Sequence, residues 1–170
     1  MFREASTIVI DATYSGRGHH AMAGYWESVQ FFLGIPAAIL SAIGGAVAAV
    51  NALAGSNQVI TAIAALLAGI LGSLKTALRP EEAVDAHASK GDRYHSLKAD
   101  ARFFRDVQIP SERTVAELEG LLLLLERRRN ALNESPPRRI WRIAYEKATR
   151  GIAAGESEYT NDSLWVEPRF

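Results

Sequence analysis

The sequence predicts an all-α membrane protein: a two-helix transmembrane hairpin followed by a cytoplasmic helical bundle, assembled as an oligomer. Three observations carry that expectation. From Ser28 through Leu74 there is no Asp, Glu, Lys, Arg or His, a stretch that soluble domains of ordinary charge content almost never contain. That stretch holds two apolar runs of about 20 or more residues each, enough to span a hydrocarbon core of roughly 30 Å. The rest of the chain is dense in charge and reads as helix. A net charge of +0 over 170 residues therefore averages two unlike parts.

Residues 1–28 form an N-terminal juxtamembrane segment carrying Arg3, Glu4, Asp11, Arg17, His19 and His20. This start is too long and too polar for a cleaved signal peptide, so the apolar part is expected to remain. Thr7-Ile8-Val9-Ile10 alternates in a strand-like way, over too short a run to decide its structure. The segment is open between two places, the membrane surface and the cytoplasmic helices. The transmembrane hairpin occupies 29–78, with spans at about 29–53 and 59–78. Ala54-Gly55-Ser56-Asn57-Gln58 joins them through turn-forming residues, and so short a connection makes the spans antiparallel neighbours. A buried soluble helical hairpin is the alternative. The connection is uncharged, whereas Arg17 precedes the first span and Lys75 and Arg79 end the second. Positive flanks face the cytoplasm, so both termini are expected on the cytoplasmic side.

Residues 79–155 form the cytoplasmic helical cap. Val84, His87, Gly91, Tyr94, Leu97, Ala101 and Phe104 fall at three- and four-residue steps, a heptad-like stripe. Ile109-Pro110-Ser111 interrupts it, with Ser111 as the expected N-cap of a helix from Glu112 to about Asn133. Val115, Leu118, Leu122, Leu125 and Leu132 share one seam of that helix. Leu121, Leu123 and Leu124 widen the arc, predicting burial on more than one side. A third helix, from about Arg138 to Ile152, carries Ile140, Trp141, Ala144, Tyr145 and Ala148 on one face. Residues 156–170 are an acidic, aromatic tail.

Inside the spans, the residues expected to pack helices or line a pore are Gly34, Pro36, Ala38, Ser41, Gly44, Gly45, Gly69, Gly72 and Ser73. Small residues four apart let backbones approach closely, where packing drives association. They occur on more faces than one hairpin needs, which predicts self-assembly. No charged ring is present, so strong ion selectivity is not expected. Pro36 removes one helix hydrogen bond and is a candidate hinge.

No catalytic constellation, metal site or cofactor is predicted. The chain has no cysteine, which excludes thiolate sites and disulfides. Adjacent His19 and His20 point to different helix faces, and His87 and His95 lack the acidic partner of a zinc-hydrolase motif. The richer feature is basic: Arg127, Arg128, Arg129, Arg138, Arg139, Arg142, Lys147 and Arg150 against Glu134 and Glu146. Three readings stay open. They are contact with anionic lipid, pairing with Glu81-Glu82-Asp85 or the acidic tail, and a site for a phosphate-bearing ligand. For the last, the Arg forks of Arg127–Arg129, Arg138, Arg139 and Arg142 beside Trp141 and Tyr145 suit the chemistry.

The order of parts resembles the SLATT domain, a bacterial two-transmembrane effector module. The segments that carry the likeness are YWESVQFFLGIPAAILSAIGGAVAAV, ITAIAALLAGILGSLKTAL and HASKGDRYHSLKADARFFRDV, followed by a Leu-rich helix ending in Arg127 to Asn130. The resemblance covers roughly Ala21 to Asn133 and rests on layout and texture, since no single residue is diagnostic. It implies an oligomeric pore in the inner membrane, part of a bacterial antiphage conflict system; separately, a cap bundled around an axis suits a tetramer, with trimers to hexamers open. The resemblance further implies control by a nucleotide or oligonucleotide made by a partner nucleotidyltransferase. The resemblance tilts the basic cluster towards that ligand. The alternative is a non-conducting membrane scaffold that recruits a soluble partner protein. An enzyme is the least expected reading.

Overall fold

The computed structural model describes residues 1–54, 58–137 and 139–155. The predicted turn at 55–57, Arg138 and the tail at 156–170 lie outside the described residues. Every regular element among the described residues is helical: α1 Phe2–Ala54, α2 Gln58–Leu78, α3 Pro80–Phe103, a π turn Phe104–Gln108, α4 Val115–Glu134 and α5 Arg142–Ala153. These build two compact units. One joins Met1–Ala23 to the chain from Asp85 onward; the other is Gly24–Val84.

The first unit is a helical bundle built on three stripes. In α1, Ala5, Ile8, Ala12 and His19 are buried at three-, four- and seven-residue intervals, a heptad pattern that makes one face of the helix apolar. In α3, Tyr94, Leu97 and Ala101 form the facing stripe and pack with Ile8, Ala12 and Leu132 in one cluster. Ala5, Phe104 and Leu118 make a second. The heptad stripe predicted for α3 is buried from His87 through Phe104, while Val84 is half-buried. Small residues bring α1 close to α3: a Cβ on Gly16 would stand 3.2 Å from Cβ of Tyr94 and 3.4 Å from the carbonyl oxygen of Gly91. The π turn, closed by the Ile109 N–H donating to the Phe104 carbonyl at 3.0 Å, turns Phe104 inward and leaves Phe103 exposed. Arg105 stands over the Phe2 ring, 5.8 Å from its centroid, a cation–π contact to the start of α1.

Thr7-Ile8-Val9-Ile10, whose alternation is too short to decide its structure, is helical, because a single apolar face at Ala5, Ile8 and Ala12 overrides a short β-branched run. Three sequence expectations are corrected here. The N-cap of α4 is Thr114, not Ser111. Thr114 Oγ1 accepts from the Glu117 N–H, and the Glu117 carboxylate accepts from the Thr114 N–H. That reciprocal capping box satisfies two orphan helix donors, which a lone serine does not. The last helix starts at Arg142, with Ile140 and Trp141 in the extended approach to it. Leu123 and Leu124 are exposed, as is Val115 at the head of the predicted seam, so α4 buries one side only.

The second unit is the apolar hairpin. The uncharged windows of both helices are long and apolar enough to cross a membrane, and 6% of each window is buried within the chain. In water that exposure would be prohibitive; against lipid tails it costs nothing. Gly44 and Ala64 are both buried and in contact, a Cβ on Gly44 lying 3.5 Å from that of Ala64. Gln30 donates to Glu81 at 3.3 Å, and Glu81 pairs with Lys75 at 2.8 Å. Pro36 sits inside α1 without ending it, and the carbonyl of Phe32 loses its helical donor there. Arg79 alone separates α2 from α3, at φ 45°, with Pro80 opening α3 where its missing N–H is harmless.

Candidate functional site

Two sets of residues in the bundle and one in the hairpin carry functional potential. The first was not legible as a site in the sequence. His19 of α1 and His87 of α3 meet with their Nδ1 atoms 2.8 Å apart. They are 2% and 5% exposed, so this hydrogen bond is sealed from water. One Nδ1–H donates and the other Nδ1 accepts, which requires that at least one ring be neutral. Burial lowers the pKa of His19 to about 4, and the charges of His87, Lys90 and His20 add to the effect. Burial and then Lys90 lower His87 as well. At neutral pH the pair is therefore uncharged.

The surroundings extend this junction to the end of α4. The Tyr94 ring stacks on His19, centroids 5.7 Å apart and planes 13° from parallel. Its hydroxyl donates to Asn133 Oδ1 at 2.7 Å, and burial raises its pKa. Lys90, also buried, donates to the carbonyls of Ser135 and Pro137, the latter at 2.9 Å. An ammonium at that place satisfies the carbonyl of the C-cap Ser135 and that of Pro137 just beyond it, and opposes the negative pole of α4. His20 points outward towards Asp92 at 3.6 Å. The cluster joins α1, α3 and α4 through polar contacts whose buried donors and acceptors are satisfied. Among the described residues, no group of three or more His, Asp or Glu is placed to hold a metal ion.

The His pair is hard to read from sequence because its partners are 68 positions apart, and each histidine's near neighbours in sequence, His20 and His95, are not its partner. The signal was present in the stripes: His19 continues Ala5-Ile8-Ala12, and His87 is the first buried member of the stripe of α3.

The basic cluster is divided by the fold. Arg128 pairs with Asp100 and donates to Ser96 Oγ at 2.9 Å; Arg129 pairs with Asp11 at 3.3 Å. These staple α4 to α3 and α1. Exposed pairs of this kind contribute about 0.2–1 kcal/mol each. Arg142 pairs with Glu146 one turn along α5, at 2.7 Å. Arg127 and Arg139 are exposed, and Arg138 lies outside the described residues. Trp141 and Tyr145 are 43% and 49% exposed, and the Tyr145 ring lies 6.5 Å from that of Tyr14. The acids Glu81 and Glu82 pair with Lys75 and Arg79 within the hairpin unit.

In the hairpin, Gly44 is used by the hairpin's own contact. Gly34, Gly45, Gly69 and Gly72 have nothing within 4 Å of where a Cβ would stand. Ala38, Ser41, Gly45, Gly69 and Ser73 are exposed and Pro36 is half-buried. On α2, Ala65, Gly69, Ser73 and Ala77 follow one another at four-residue steps beside Leu66, Ile70 and Leu74, and line an open groove of about 560 Å³.

Comparison with protein-family models, curated proteins and solved structures gives no match to this chain.

Proposed function

We propose that the chain is the subunit of an oligomeric, gated membrane pore, whose hairpins pack side by side in a bacterial inner membrane while the helical bundle, on the cytoplasmic side, controls them. The observation that supports this reading most is the unused small-residue face of α2. The hairpin closes on itself through Gly44 and Ala64, yet Ala65, Gly69, Ser73 and Ala77 present a second concave face to the lipid. Lipid tails do not need such a face, whereas a neighbouring helix gains dispersion contacts from it. Ser73 gives that face a hydroxyl, the weak polarity that a pore wall or an interhelical hydrogen bond requires.

The bundle suits a controlling role because α1 is a single helix running from bundle core residues into the apolar run. A ligand works on such a device only by binding one arrangement of the bundle more tightly than another. The SLATT resemblance supplies the expected signal, a nucleotide or oligonucleotide, and the setting of antiphage defence. A second reading, the non-conducting scaffold, is favoured by a groove of about 250 Å³ between α3 and α4. It is lined by Phe103, Phe104, Leu121, Leu124 and Leu125, with Asp100 and Arg128 at its edge, a shape suited to a partner helix.

Dye efflux from liposomes holding the purified protein, with and without cyclic and linear oligonucleotides, separates the two. A pore predicts leakage that changes with one ligand and is abolished by Gly69→Leu with Ser73→Leu. Liposomes that stay tight under every condition would overturn the pore and leave the scaffold.

A further inference from the structure

The outward side of α5 carries chemistry that neither the bundle core nor the hairpin uses. Ala144 and Ala148 are buried at 5% each, so this helix docks through its smallest residues. The opposite side presents Arg142, Ile143, Lys147 and Arg150, all exposed, with Arg139 and Trp141 just before them. Ile143 is 68% exposed, between cations on a helix whose one acid, Glu146, is engaged with Arg142. The segment is fixed against α1 just before the apolar run. The Trp141 N–H donates to Met22 Sδ at 3.4 Å, and a Cβ on Gly18 would stand 2.7 Å from Ile140 Cδ1. Met22 precedes Tyr25 and Trp26 by about one helical turn, and paired aromatics of that kind settle at membrane–water interfaces.

We infer that the face Arg139, Trp141, Arg142, Ile143, Lys147 and Arg150 binds the anionic headgroups of the bilayer in which the chain sits. The occupant follows from the shape and composition together. A soluble phosphate ligand is held where several donors converge on a concavity, but these cations fan out from the convex side of a short helix. An exposed isoleucine and a half-exposed tryptophan among cations gain by leaving water for the acyl boundary. The cations meanwhile gain from anionic lipid, about fivefold in binding for each one near the surface. The inference rests on the membrane-spanning part of the proposed function and is independent of conduction.

The cysteine-free chain permits a clean test. Ala153→Cys, at the exposed end of α5, carries an environment-sensitive fluorophore, and Glu119→Cys on α4 carries it as a reference. The protein is reconstituted in phosphatidylcholine vesicles with and without phosphatidylglycerol, each doped with nitroxide-labelled lipid. Strong quenching at position 153 only when phosphatidylglycerol is present, with little at 119, is the expected result. Arg139→Ala and Arg150→Ala should each lower the docked-to-free ratio about fivefold, and exposed Ile143→Ser should lower it without disturbing the fold. Equal quenching in both vesicle types, or equal quenching at 119 and 153, would overturn the inference. Protection at 153 in pure phosphatidylcholine by added oligonucleotide would overturn it in favour of a soluble phosphate ligand. Flotation of the protein with the vesicles is scored first. Protein that fails to float removes the spanning reading and this inference together, whereas protein that floats unquenched removes the inference alone.

Discussion

At the scale of single residues, the His19–His87 hydrogen bond is the most consequential contact because it is buried, neutral and joins α1 to α3. Its protonation behaviour fixes a pH dependence of stability. His19 has a pKa of about 4 in the folded chain against 6.5 unfolded, so between those values the unfolded chain binds the extra proton. Stability is therefore full above about 6.5 and falls as the pH is lowered towards 4, and His87 acts in the same direction. Thermal unfolding of the bundle in detergent across that window should show the decline. The double variant His19→Gln with His87→Gln should flatten it, and an unchanged slope would remove the pair as its cause. A second residue-scale expectation concerns Arg79, whose positive φ costs an ordinary side chain about 1 kcal/mol that glycine avoids. Arg79→Gly should raise the unfolding midpoint if its pair with Glu82, 3.3 Å and exposed, contributes less than that.

At the scale of elements, α4 and α3 offer the plainest tests. Thr114→Ala removes half of a reciprocal cap and should cost about 1 kcal/mol, whereas Ser111→Ala should change little. Leu97→Ala, in the centre of the bundle, should cost about 2–5 kcal/mol; all three are read by chemical unfolding of the detergent-solubilised protein. The same elements show what the sequence makes legible. The stripe of α3 was readable because Tyr94, Leu97, Ala101 and Phe104 keep strict heptad spacing, and the spans were readable because charge is missing over so long a stretch. The stripe of α1 was hidden because, Ile8 apart, its members Ala5, Ala12, Gly16 and His19 are small or polar. Such residues register as core only once the facing helix is known to approach closely. The start of α4 was misplaced because Ser111 and Thr114 are both good caps, and only Thr114 has a glutamate three residues on. For the basic cluster, sequence supplied the charges but not the division between stapling arginines on α4 and outward ones on α5, since Asp11 and Asp100 are remote in the chain.

At the scale of the whole molecule, a single helix, α1, belongs to both units, and Arg79 alone divides α2 from α3. Both ends of the hairpin are thus continuous in sequence with the bundle unit. Self-association through Ala65, Gly69, Ser73 and Ala77 is the property on which a pore depends. Gly69→Leu should shift the balance in crosslinked membranes from oligomer towards monomer by about tenfold. Unchanged crosslinking would assign that groove to lipid.

The membrane hairpin itself is tested most directly by labelling single cysteines in intact cells with a maleimide that cannot cross the membrane. Asn57→Cys, between the spans, should react from outside, while Glu4→Cys and Glu119→Cys, in the bundle, should react only after lysis. Reaction of Asn57→Cys and Glu119→Cys from the same side, or recovery of all three in the soluble fraction, would contradict a hairpin that crosses the bilayer.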